Sequence, residues 1–123
     1  MIFMSNRPII GVFAANPYTV TSMTMELEGF VNADFVEAYK LDDAKKICKE
    51  KNPTILIIDS SIAGVEELNL AKEFFGYKVI LITPLKDFAS MKMDMDNIVE
   101  VLEKPVNFIT LRNLLKRFLE GKK

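Results

Sequence analysis

Pro53-Thr54-Ile55-Leu56-Ile57-Ile58-Asp59 is the stretch on which the fold turns. Four consecutive large apolar residues, Ile55 to Ile58, sit between a helix-stopping Asn52-Pro53 and a carboxylate. Branched side chains dominate the run, and it is too short for a buried helix. A strand facing water on one side would alternate apolar and polar residues. This one does not, so it reads as the centre of a parallel sheet covered on both faces. Its carboxyl end delivers Asp59 to the sheet edge, where open α/β folds place their chemistry.

Outward from that strand the chain repeats the pattern. Pro8 to Ala15 (PIIGVFAA) reads as the first strand, and Asn16-Pro17 as an N-cap followed by proline at the first helical position. The helix places Val20, Met23, Leu27 and Phe30 on one face, with Gly29 near its end. Ala33 to Tyr39 alternates partially, as expected of a strand nearer the sheet edge. Asp42 is expected to cap a second helix with Ala44, Ile47 and Cys48 inward and Lys45, Lys46, Lys49 and Lys51 outward. Asn52-Pro53 ends it.

Beyond the central strand, Ser60 to Gly64 reads as a loop. Val65, Leu68, Ala71 and Phe75 then line a helix stopped by Gly76. Val79 to Thr83 is another wholly apolar strand ending in a hydroxyl. Leu85 to Asp96 holds a looser helical spacing, and its Met91, Met93 and Met95 cannot all lie on one buried face. Ile98 to Leu102 is the last strand, closed by Glu103-Lys104-Pro105. Asn107 caps a final amphipathic helix carrying Phe108, Leu111, Leu114, Leu115, Phe118 and Leu119.

Strands alternating with helices in this way force a parallel sheet with right-handed crossovers and helices on both faces. The expectation is an α/β, doubly wound, three-layer domain of five strands and five helices spanning residues 1–123, with a core from about 8 to 120. All strand carboxyl ends then share one edge. Ala14, Asp59, Thr83 and Lys104 converge there.

Composition removes several function classes. The 123 residues are half apolar, with 16 basic and 17 acidic residues and a formal net charge of −1. No basic block suits a nucleic acid, and no apolar run approaches the roughly 20 residues that span a bilayer. Met1 to Arg7 lacks the charged front of a signal peptide, and a cytoplasmic setting is expected. There is no histidine. Ser-His-Asp and Cys-His nucleophiles, His-ligated zinc and a phosphohistidine role are therefore excluded. Cys48, the single cysteine, reads as core filler.

Together the residues after the third, fourth and fifth strands resemble the receiver domains of two-component response regulators, from Ile9 to about Leu119. That resemblance implies a flavodoxin-like (βα)5 fold of strand order 2-1-3-4-5. It implies Asp59, in ILIIDSSIAG, as the acceptor of a phosphoryl group from a histidine kinase. Thr83, in VILITP, would contact that group, and Lys104, in LEKPVNF, would pair with its oxygens. The Lys104-Pro105 peptide is usually cis in that family. A protein partner is implied, either a histidine kinase or an output protein, and a homodimer through the Leu85–Leu119 face is a further option.

The departures bear on the same chemistry. Two acidic residues usually close the first strand and hold Mg²⁺; Ala14 and Ala15 stand in their place. Pro84 follows the hydroxyl where a small residue is usual, and Val101 replaces the aromatic switch residue. Mg²⁺ dehydrates reluctantly and needs carboxylates, and phosphoryl transfer leans on the metal's charge. With Asp59 as the metal's main remaining carboxylate, Mg²⁺ is expected to bind weakly and Asp59 to be phosphorylated slowly or not at all. The expected role is a divergent receiver or pseudo-receiver that binds rather than turns over substrate, and so is not an enzyme. A phosphorylatable receiver is one alternative. A small-ligand-binding flavodoxin-like domain is another, although FAANPYT offers no glycine-rich phosphate cradle.

Overall fold

The computed structural model describes residues 7–63, 72–84 and 96–120. Within them lie β1 (Ile9–Phe13), α1 (Pro17–Glu28), β2 (Asp34–Ala38), α2 (Leu41–Lys51), β3 (Ile55–Asp59), β4 (Lys78–Thr83), β5 (Ile98–Glu103) and α3 (Phe108–Leu119). The strands form one sheet in the order β2-β1-β3-β4-β5, and every neighbouring pair is parallel. Both the doubly wound topology and the strand order expected from sequence are present.

β3 is buried at every position, and β1 and β4 are buried apart from their first residues. β2 and β5, at the two edges, are mostly half-buried. Alternation along the buried strands supplies two cores at once. Ile10, Val12, Ile55, Ile57, Ile80 and Ile82 meet Val20, Met23 and Leu27 of α1 and Leu111, Leu114 and Leu115 of α3. Phe13, Leu56, Ile58, Val79 and Leu81 meet Ala44 and Cys48 of α2 together with Phe74.

Gly11 sits on the second face for a steric reason. A Cβ there would lie 2.8 Å from both Leu56 Cδ2 and Phe13 Cζ. The missing side chain lets the Phe13 ring fold across β1 towards Phe74, with ring centroids 5.8 Å apart.

Caps and stops account for the helix ends. Asn16 accepts the Tyr18 N–H and Pro17 opens α1. Asn107 accepts the N–H groups of Ile109 and Thr110 at the start of α3. α2 ends on Asn52 in the left-handed region, φ 48°, a conformation Asn tolerates. Gly76 lies at φ 97° and turns the chain into β4.

Several expectations need correction. Lys40, not Asp42, is the N-cap of α2 and makes no side-chain cap bond; Asp42 and Asp43 instead place negative charge in the first turn. Ser60–Ala63 is a 3₁₀ turn rather than open loop. Phe75 is 84% exposed and Phe74 is the buried residue. The helix stops short of the expected spacing: Lys72 and Glu73 are helical, but residues 74–76 form a turn, so the count of four no longer applies.

Phe30 lies beyond the end of α1 and is half-exposed. The Arg112 guanidinium stacks 3.5 Å from its ring centroid. The same guanidinium donates to the Glu26 backbone carbonyl and pairs with its carboxylate, each at 2.9 Å, bracing α3 against the end of α1. Of the expected helices over 65–75 and 85–96, only residues 72–75 and Asp96 lie within the described residues. Much of the proposed Leu85–Leu119 face is likewise outside them. Among the described residues, no helix is long and apolar enough to cross a membrane.

Candidate functional site

Parallel pairing aligns the strand ends. Asp59 lies opposite Ile82, and Thr83 lies opposite Glu103. Lys104 therefore follows directly on the β5 terminus, and its backbone N–H donates to the Thr83 carbonyl at 3.0 Å. The Lys104-Pro105 peptide is cis.

Asp59 and Lys104 meet across this edge. Lys104 Nζ lies 2.8 Å from Asp59 Oδ1; the aspartate side chain is 4% exposed and the lysine side chain 37%. The same oxygen accepts the Ser61 N–H at 2.9 Å, as the chain enters the 3₁₀ turn. A carboxylate this deeply buried is costly without partners, and these two donors supply them.

Thr83, expected beside them, is fully buried. It adjoins Lys104 through the backbone and does not border the open space next to the ion pair. Val101 is half-buried against the Phe13–Phe74 core. Pro84 is exposed at the end of β4.

The end of β1 offers a different surface. Ala14 is fully buried, and its N–H continues the ladder to the Ala38 carbonyl at 3.2 Å. Ala15 is exposed, and its N–H donates to Ser61 Oγ at 3.2 Å. A serine hydroxyl thus ties the β1 end to the turn after β3, beside two methyl groups. Sequence reading took Ser61 as part of a loop and missed this hydroxyl. A hydroxyl two residues past a strand-end carboxylate was the available signal.

Among the described residues, the donor set does not suit Mg²⁺. An octahedral oxygen shell needs more than one carboxylate oxygen already engaged by a lysine and an amide. Among the described residues, no group of three or more acidic, histidine or cysteine side chains could hold a metal ion.

A cleft of about 680 Å³ opens beside the pair. Tyr18, Thr19, Ser22 and Met23 of α1 line it, Val106 and Phe108 add apolar surface, and Asp59 and Lys104 border it. Residues 18, 19, 22 and 23 fall together because positions three and four apart share a helix face. Sequence reading took Met23 as core and passed over its polar neighbours.

No protein-family model and no curated protein matches this sequence. Solved structures do. The receiver domain of Francisella response regulator 1452 is 16% identical with a TM-score of 0.78, over 94% of this chain and 99% of that one. A CheY-like response regulator receiver domain protein from Methanospirillum hungatei is also 16% identical, TM-score 0.78, over 94% and 96%. A response regulator from Thermotoga maritima is 19% identical, TM-score 0.74, over 93% and 98%. At that distance the backbone is what is shared, and the chain has the fold of a response regulator receiver domain.

Proposed function

We propose that this chain is a pseudo-receiver: a signalling module that works by binding a protein partner, with Asp59 held by Lys104 in place of a phosphorylation cycle. One observation carries the reading. The Asp59–Lys104 contact of 2.8 Å closes a charge pair on a 4% exposed carboxylate, beside a β1 end whose side chains are the methyl groups of Ala14 and Ala15. Phosphoryl transfer is mostly positioning and charge neutralisation, and the metal supplies much of the second. Here the lysine neutralises the aspartate itself, so the module performs no turnover of its own. A histidine kinase or an output protein in a cytoplasmic setting is the partner class that the fold suggests.

The test is intact-protein mass spectrometry after incubation with acetyl phosphate and Mg²⁺, with Asp59→Asn as the control. The expected result is an unmodified mass for both proteins. A phosphoryl adduct on the parent that the Asp59→Asn variant lacks would replace this reading with that of a working receiver.

A further inference from the structure

The cleft beside the ion pair has the makings of a ligand site in its own right. Its volume of about 680 Å³ lies within the roughly 300–1,000 Å³ of small-molecule sites. One end is polar and one is apolar. At the polar end Lys104 presents an ammonium with three N–H donors, of which one is directed at Asp59. The lysine side chain is partly exposed, and Lys104 borders the cleft. The hydroxyl-bearing Thr19 and Ser22 line the adjacent wall, and Met23, Ile82, Val106 and Phe108 supply the apolar lining.

We infer that this cleft binds an organic monocarboxylate with an apolar body, its carboxylate on Lys104 Nζ and its body between α1 and the Val106–Phe108 turn. The charge of the head follows from the pair. A neutral head would cover the ammonium's remaining donors without an ionised acceptor. An amine would have to approach that ammonium and compete with it for Asp59. A dianion would double both the attraction to Lys104 and the repulsion from Asp59, and its second charge would have to be desolvated against the apolar lining. A single negative charge uses the lysine at the smallest cost.

The inference rests on the pseudo-receiver reading in one respect: Lys104 faces the cleft rather than a phosphoryl group. The test is therefore run without Mg²⁺ or phosphodonor, so that its failure and the failure of that reading are seen separately. Naphthalene-1-acetate, indole-3-acetate and octanoate are titrated into the ¹⁵N-labelled chain, each against its neutral amide.

Saturable amide shifts at Thr19, Ser22, Met23, Val106 and Phe108 are expected, with at least one acid binding about tenfold or more tightly than its amide. In the double variant Asp59→Asn, Lys104→Met, which leaves no buried charge unpaired, the acid loses that advantage. Ser22→Trp, at an exposed position of α1, fills the cleft and removes binding of both forms. Equal affinity of every acid and its amide, shifts centred elsewhere, or no saturable shift from any of the acids would overturn the inference.

Discussion

The two faces of the sheet solve the same packing problem differently. On the α2 face, Phe13 crosses the gap left by Gly11 and meets Phe74, and the space is filled by side chains of the chain itself. On the α1/α3 face, the interior is equally apolar, but near the carboxyl edge the helices leave a cleft with a charge pair at its head. Farther along, the same two helices are fastened by the polar Arg112 brace. The contrast teaches where function can be sought. Among the described residues, the Phe13–Phe74 pair fills the interior of the first face, whereas the second keeps an open cleft beside its charge pair.

The α2 face should be the more sensitive to change. Phe13→Ala removes a fully buried ring and is expected to cost about 3–5 kcal/mol in urea unfolding. Gly11→Ala forces a methyl against Leu56 and Phe13 and is expected to cost about 1–3 kcal/mol. Combining Gly11→Ala with Phe13→Leu should cost less than the sum of the single changes, because the shorter side chain vacates the space the methyl needs. Strict additivity would show that Gly11 is needed for some other reason.

On the α1/α3 face a smaller effect is expected. Arg112→Ala should cost about 1 kcal/mol, losing the stack on Phe30 and the bonds to Glu26. Arg112→Lys should recover less than half of this, since an ammonium cannot reproduce the planar two-point contact. Full recovery by lysine would reduce the brace to simple charge attraction.

A further effect is one of pH. Burial raises the Cys48 thiol from the ordinary value of 9.0 to about 11. The folded chain holds that proton where the unfolded chain releases it. The contribution is fully present below pH 9.0 and is lost as pH rises towards about 11. Urea midpoints from pH 8 to 11 should fall less steeply for Cys48→Ala than for the parent. Parallel slopes would mean that the thiol is not shielded.

Much of this was legible in the chain. Unbroken apolar runs at β3 and β4 could be read as doubly covered strands because a parallel sheet imposes no alternation on its centre. Asn16-Pro17 and Asn107 announced their helices through short-range chemistry that tertiary contacts left intact. Lys104 could be placed near Asp59 because topology, more than local sequence, brings strand ends together.

What sequence missed depended on exact phase or on partners far along the chain. Phe74 and Phe75 are neighbours of one type, and which is buried depends on where a helix gives way to a turn. Phe30 looked like a core residue of α1, but its partner is Arg112, which no local pattern reveals. The cleft was hidden for the same reason: Thr19 and Ser22 are ordinary surface residues until Val106 and Phe108 arrive opposite them.

The outer strand β2 has a consequence for how copies of the chain can meet. Asp34 and Glu37 lie on it, and Asp34 is already tied to Arg7 at 3.6 Å. A visiting strand docking there would have to desolvate both acids next to its own backbone, which discourages end-to-end fusion of sheets into fibres. Crowded solutions of this protein should therefore resist cross-β growth from that margin, and exchanging the two acids for Val and Thr should remove the resistance.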